Sequence, residues 1–382
     1  MIEEGVIKEK KKKGPVMLLT IITIIYDLRS LVPTSFLSIS VIPYVSCSLV
    51  LHASGIVLPK KWIEYMDNKM FSSYLKICLF VFENCSNAKV YVYGDYDEMI
   101  KDKERAIVLS NHQSSADWVI FNILAYRQQT EYGLRFVVKS SLQYVPLFAW
   151  YVYQRGFVFV RRYGSFVLDP VERQLNYLST LEYPFWLCIF PEGTRFDAKN
   201  FTAIDKTHDW CIQQGIRAFM NVGRPYTKAF TLSFNALNQH IDSVYDLTIA
   251  YNSTDGMPIR GEPLNMVDLC VKAVKNKEIH IYVKKHHPDK IPRSMSGHKV
   301  FMIKNFEEKE LLMEKFYEEG TFRRESEKFL EPISLLETIP CVVLYTAPII
   351  GLFYSSNVRK VYFTSLAISP FLILWTRCFR KL

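Results

Sequence analysis

The chain carries eight cysteines but no Cys-x-x-Cys pair. They are scattered at Cys47, Cys78, Cys85, Cys188, Cys211, Cys270, Cys341 and Cys378, many of them in apolar runs. That distribution supports neither a disulfide framework nor a zinc site and reads as reduced packing residues. His286 and His287 with Asp289 lack a third spaced ligand, so no metal is expected there, and His208-Asp209 lies in a polar stretch that reads as a loop. A Gly-x-Ser-x-Gly elbow is also missing, which leaves a serine hydrolase without its nucleophile. No helix-turn-helix, zinc-finger or RNA-binding signature accompanies the formal charge of +9. The charge therefore points to anionic phosphate such as that of a lipid surface, with no nucleic-acid partner expected. Beyond the lysine-rich stretch Lys8 to Lys13 there is no repeat or low-complexity tract.

What is present is apolar sequence, and it is segregated. Hydrophobic residues make up 49% and aromatics 14% of 382 residues, enough for one domain of roughly 200–250 residues with appended membrane segments. Residues 15–57 are apolar, interrupted by Asp27 and Arg29, with Pro33 and Pro43 in the helical path; they read as one span or two shorter helices. Residues 333–353 and 361–375 read as a helical hairpin whose loop carries Asn357, Arg359 and Lys360. Lys10 to Lys13 precede the first run without a small-residue cleavage site, which indicates an anchor rather than a signal peptide. Positive-inside reasoning puts this end and the tail Arg377, Arg380 and Lys381 in the cytosol. A re-entrant helix pair brings the middle of the chain there too, whereas a single span conflicts with these charges.

The middle alternates β-rich runs with helical patterns. Residues 90–93, 106–109, 136–138, 157–160, 186–190, 229–234, 247–251 and 279–283 read as strands, and 117–126 and 171–181 as helices. The fold class expected is α/β, a mainly parallel sheet flanked by helices, with N-terminal and C-terminal membrane helices. The expected division is a membrane anchor (1–60), a catalytic domain (61–289), a charged connector (290–332) and a membrane hairpin with a basic tail (333–382). Glu307, Glu308, Lys309 and Glu310, followed by Arg323, Arg324, Glu325 and Glu327, make that connector read as a solvated helix without chemistry. The aromatic run 144–153 suits either the bilayer or the core.

Asn111-His112-Gln113-Ser114-Ser115-Ala116-Asp117 follows a strand and opens an apolar helix. On one continuous helix, residues five apart lie about 140° from each other, so His112 and Asp117 meet only if His112 is in the loop. Ser114 or Ser115 as N-cap puts Asp117 in the first turn, where the helix dipole favours a carboxylate. Imidazole titrates near ~6.5, and a carboxylate on one ring nitrogen leaves the other to accept a proton, which makes a general base. A loop histidine beside a capping carboxylate has the same spacing. Phe190-Pro191-Glu192-Gly193-Thr194-Arg195 forms a turn after a strand, whose N–H groups and guanidinium suit a phosphate; structural turns share this composition.

These two motifs, with Gly156-Phe157-Val158-Phe159-Val160-Arg161-Arg162 between them, resemble the ordered motifs of the glycerophospholipid acyltransferase family. Tyr93-Gly94-Asp95, Val138-Lys139, Tyr245-Asp246, Tyr251 and the apolar C-terminal pair extend the likeness over most of the chain, toward the epsilon-type 1-acylglycerol-3-phosphate acyltransferases. The family's fourth motif, an apolar run around a proline, is poorly matched by Gly223-Arg224-Pro225. The resemblance implies direct acyl transfer from acyl-CoA, a co-substrate rather than a cofactor, to the sn-2 hydroxyl of 1-acylglycerol-3-phosphate at the bilayer. It makes His112 the base and Asp117 its orienting partner, with Arg162, Glu192, Gly193, Thr194 and Arg195 at the acceptor. Lys139 is a further phosphate contact, or like the arginines a surface ion-pairing residue. Another lysophospholipid, such as lysophosphatidylglycerol or lysocardiolipin, is the alternative acceptor, and a catalytically silent membrane scaffold the alternative role. The location expected is the endoplasmic reticulum membrane with a cytosolic catalytic domain, or a mitochondrial membrane.

Overall fold

The computed structural model describes residues 14–54, 57–145, 148–161, 168–252, 263–270, 277–323 and 326–379. The Lys8 to Lys13 stretch, Arg162, Arg324, Glu325, Arg380 and Lys381 lie outside these. The described strands are β1 (Lys89–Gly94), β2 (Ala106–Ser110), β3 (Leu134–Lys139), β4 (Val158–Val160), β5 (Trp186–Ile189), β6 (Ser243–Tyr251), β7 (Glu278–His286) and β8 (Lys328–Leu330). They form one sheet in the order β4-β3-β5-β2-β6-β7-β1-β8. Five neighbouring pairs, from β4 through to β6 and between β7 and β1, are parallel; β6 with β7 and β1 with β8 are antiparallel.

The central strands read as unbroken apolar runs because both faces are covered. In β2, Ala106 and Val108 face one core while Ile107 and Leu109 face the other; in β5, Trp186 and Cys188 oppose Leu187 and Ile189 in the same way. Early in the chain come α1 (Gly14–Ala53), α2 (Lys60–Leu79), α3 (Tyr96–Lys101), α4 (Asp117–Arg127), α5 (Phe148–Gln154) and α6 (Leu168–Ser179). They are followed by α7 (Phe201–Gln214), α8 (Lys228–Leu237), α9 (Met266–Cys270), α10 (Met295–Glu319), α11 (Leu335–Tyr354) and α12 (Ser356–Phe379). One core joins the sheet to α1, α2 and α4; the other joins it to α6, α8 and α10.

Two expectations are corrected and one left open is decided. Residues 229–234 are helical, within α8, because Phe230, Phe234 and Leu237 recur at helical spacing and are buried together. Of the two readings of residues 15–57, the structure has the single one: α1 runs unbroken through Pro33 and Pro43 rather than as two shorter helices. The re-entrant pair that would return the chain to one side is therefore absent from the described residues, and a full crossing by α1 puts its two ends on opposite sides. Residues 290–332 are not a solvated connector. Met302, Phe306, Met313 and Phe316 give α10 one apolar face, buried against the sheet, while β8 extends the sheet beside β1.

Ser35–His52 and Leu335–Tyr354 are long and apolar enough to cross a membrane by length and composition. Leu336, Val343, Leu344 and Phe353 of α11 are exposed, a surface suited to lipid. The hairpin is tighter than expected: Asn357, Arg359 and Lys360 belong to α12, and Arg359 Nη1 donates to the terminal carbonyls of Leu352 and Phe353 in α11 at 3.0 and 3.2 Å. The aromatic run divides, with Tyr144 exposed and Tyr151 packed on Tyr44 and Phe71. Two buried ion pairs tie neighbouring elements together. Arg155 pairs with Asp67 of α2. Arg127 of α4 meets Glu83 at 2.9 Å, and Glu83 also accepts from Ile333 N at 2.8 Å, at the root of α11.

The packing of α10 makes a prediction. Phe306→Ala is expected to destabilise the protein by about 3–5 kcal/mol, and Leu311→Ala, on the exposed side of α10, by less than about 0.5 kcal/mol. Denaturant unfolding of the two variants in detergent measures the contrast; equal small losses would return the segment to a solvated connector.

Candidate active site

The loop leaving β2 is fixed before it reaches the histidine. Asn111 Nδ2 donates to Ile249 O at 2.9 Å and its Oδ1 accepts from Ile249 N at 2.8 Å, so the side-chain amide continues the ladder with β6. The chain then turns back on itself. Asp117, the first residue of α4 and fully buried, accepts at Oδ2 from Gln113 N at 2.8 Å, Ser114 N at 3.0 Å and His112 Nδ1 at 2.7 Å. The five-residue spacing is bridged because the loop wraps around the carboxylate. Neither serine is the N-cap expected; Ala116 holds that position. Ser114 Oγ instead accepts from Ala116 N and donates to Leu264 O, while Ser115 Oγ accepts from Met266 N. These bonds hold the segment before and within α9 against the motif.

The His112 ring lies on Phe190 with centroids 4.1 Å apart and planes 24° apart, and Phe121 meets Phe190 edge-on. With Nδ1 committed to Asp117 and a fifth of the side chain exposed, Nε2 has no hydrogen bond among the described residues.

The turn after β5 meets this loop directly. Glu192 Oε1 accepts from His112 N at 2.8 Å and Oε2 from Gly223 N at 2.9 Å, while Phe196 N donates to His112 O at 2.7 Å. Burial pushes the Glu192 carboxyl up to about 8, against the pull of those two N–H groups; Asp117 adds to the rise and Lys309 opposes it. Gly193 takes φ +69°, the left-handed conformation that glycine adopts without strain, with the Tyr226 ring 3.7 Å from where a Cβ would stand. Thr194 and Arg195 are exposed beyond it.

Residues 220–226 form the neighbouring wall, held from behind. Glu310 of α10 accepts from Met220 N, Asn221 N and Val222 N at 2.9, 2.9 and 3.2 Å, and from Asn221 Nδ2 at 2.8 Å. Four successive N–H groups are thus filled by two carboxylates, Glu310 and Glu192. The Arg224 guanidinium lies over the Tyr226 ring, 4.8 Å from its centroid, and bonds the Tyr226 hydroxyl. Beside Glu310, Lys309 is buried, pairs with Asp246 Oδ1 at 2.8 Å and donates to Leu247 O. Burial lowers the Lys309 ammonium and the Asp246 charge offsets this.

His112, Asp117 and Glu192 are therefore brought together, with Gly193, Thr194 and Arg195 continuing the same turn. Lys139 ends β3 at the same C-terminal end of the parallel strands, exposed and separated from β2 by β5; its side chain makes no hydrogen bond or ion pair among the described residues. Arg162 lies outside the described residues, just after Arg161. Sequence reasoning missed Glu310, hidden in a run of charges, and the part played by Tyr251. The Tyr251 hydroxyl donates to Asp117 Oδ1 at 2.5 Å from 134 residues away, a contact that only the register of β2 with β6 creates.

Comparison with known proteins agrees with this layout. The family model described as Acyltransferase matches residues 89–250, from β1 through nearly all of β6, and the one described as Acyltransferase C-terminus matches 270–343, which includes α10 and β8. Together they take in more than half of the chain. It is 27% identical to a 1-acyl-sn-glycerol-3-phosphate acyltransferase epsilon of Mus musculus over 91% of this chain and 95% of that one. A probable 1-acyl-sn-glycerol-3-phosphate acyltransferase 5 of Arabidopsis thaliana is 27% identical over 89% and 86%. Lysocardiolipin acyltransferase 1 of Mus musculus is 25% identical over 80% and 78%. With both matches falling on the sheet that carries the His112 loop and on the helix that braces its neighbour, the chain belongs to the acyltransferase family.

Proposed function

We propose that this acyltransferase moves a fatty acyl group from acyl-CoA to the sn-2 hydroxyl of 1-acylglycerol-3-phosphate, with His112 as general base. The observation that carries the reading is the 2.7 Å bond from His112 Nδ1 to Asp117, which leaves Nε2 without a partner among the described residues, in the loop that meets the Glu192 turn. Nε2 takes the acceptor proton as the hydroxyl oxygen bonds to the thioester carbonyl carbon. The C–S bond then breaks and the imidazolium returns its proton to the departing CoA thiolate. The step uses no acyl-enzyme, metal or resident cofactor. Arg195, with Lys139 and Arg162, supplies positive charge for the acceptor phosphate, and a guanidinium fork suits paired bonds to its oxygens. Gly193 and Thr194 shape the turn that presents Arg195. Lysocardiolipin is the alternative acceptor, favoured by the likeness to a lysocardiolipin acyltransferase.

The apolar helices α1 and α11 support membrane residence. The proposed location is the endoplasmic reticulum, or alternatively a mitochondrial membrane, with the catalytic region on the cytosolic side. With the lysine-rich N-terminus also in the cytosol, that side requires α1 to enter the bilayer without carrying the chain across it. Protease added to sealed microsomes is expected to cleave the catalytic region; its protection would put the region in the lumen.

His112→Ala is expected to lower transfer at least about 100-fold while the protein still sediments with membranes, read with labelled oleoyl-CoA and a panel of lysophospholipids. Near-parental transfer by this variant would remove the base; a preference for lysocardiolipin would keep the chemistry and change the substrate.

Arg195→Ala is expected to raise the acceptor KM more than the acyl-CoA KM. So is Glu310→Gln, because a glutamine amide nitrogen turns a donor toward two of the N–H groups of residues 220–222; its expected effect is about threefold to tenfold. Equal shifts in both KM values would dissociate these residues from the acceptor.

A further inference from the structure

Asp117 is 0% exposed, and among the described residues no lysine or arginine bonds to it. Its charge is met by hydrogen bonds alone, and they are unevenly placed. Oδ2 receives three: two from backbone N–H groups of the wrapping loop and one from His112 Nδ1. Oδ1 receives one, from the Tyr251 hydroxyl at 2.5 Å. Tyr251 is the last residue of β6, buried, and belongs to the core between the sheet and α1, α2 and α4. Burial raises the phenol well above its usual range and the Asp117 charge raises it further, so the hydroxyl keeps its proton and is the donor.

We propose that Tyr251 is a positioning residue of the His112–Asp117 pair, holding the second carboxylate oxygen and so setting how tightly the imidazole binds its proton. The inference rests on His112 acting as the base. A hydrogen bond to an ionised carboxylate draws charge toward the donor and lowers the carboxylate's affinity for any further proton. With Oδ1 engaged, Oδ2 attracts the imidazolium less strongly than it does with Oδ1 unbonded. Without that bond, Oδ1 has no donor among the described residues, and the pair holds its proton to higher pH. The other charged groups here are Glu192, in the turn after β5, and Lys309 behind it on α10. Neither bonds to Tyr251, so both act equally on parent and variant.

Tyr251→Phe keeps the ring and removes only the hydroxyl. The acid limb of kcat/KM against pH is expected to move up by about one unit, on the order of the effect of one charged hydrogen bond. Activity lost at neutral pH is expected to return to within about threefold of the parent on the alkaline side. A profile lowered equally at every pH, with the limb in place, would assign Tyr251 a packing role and overturn the inference, as would an unchanged profile. Should the phenylalanine variant not fold, 3,5-difluorotyrosine at position 251 keeps the hydroxyl and makes it a stronger donor. The limb is then expected to move down, and a limb that stays or rises would overturn the inference. Retained activity in His112→Ala sinks the base itself, a result separable from an unmoved limb in a protein that still requires His112.

Discussion

A buried carboxylate without a bonded cation must be met by hydrogen-bond donors, and Asp117 organises the surrounding chain to supply them. Residues 112–114 wrap around one oxygen, which is why a histidine five residues upstream reaches it at all. The other oxygen is met from β6, so the site depends on the register of two parallel strands as well as on a local loop. The ladder made by the Asn111 amide fixes that register at the point where the loop departs. His112 is then clamped on three sides: Asp117 at Nδ1, Phe190 beneath the ring, and Glu192 at the backbone N–H.

The same logic extends outward. Glu192 links the histidine loop to Gly223, and Glu310 holds the three residues before Gly223, so a helix far along the chain braces one wall of the site. The Lys309 ammonium, one residue earlier, grips β6 through Asp246 and Leu247. Replacing either partner of that buried pair leaves an uncompensated charge, at a cost of several kcal/mol. Between the terminal helices and the catalytic layer, Glu83 joins Arg127 of α4 to the backbone at the root of α11. Membrane-suited helices and site are therefore one packed unit.

How much of this was legible in the sequence follows from the range of each interaction. The meeting of His112 with Asp117 is local, and a strand, a polar loop and an apolar helix in succession are enough to foresee it. The Glu192 turn is visible for the same reason. Tyr251 and Glu310 are not, because each acts across the fold and neither has a local signature. Residues 229–234 look β-rich, yet Phe230, Phe234 and Leu237 need a helix to share one face. In α10 the charges are dense enough to hide an apolar stripe, and β8 is three residues long, too short for any periodicity to announce.

The fate of the acyl group is the most direct measurement of the central claim, that His112 activates the acceptor for transfer in one step. Purified full-length protein is mixed with labelled oleoyl-CoA and 1-acylglycerol-3-phosphate, and label is followed at short times in lipid, in protein and as free fatty acid. The account predicts label passing to lipid as CoA is released, with none bound to protein. Label that appears first on the protein, or that leaves as free fatty acid while acceptor is present, would contradict it.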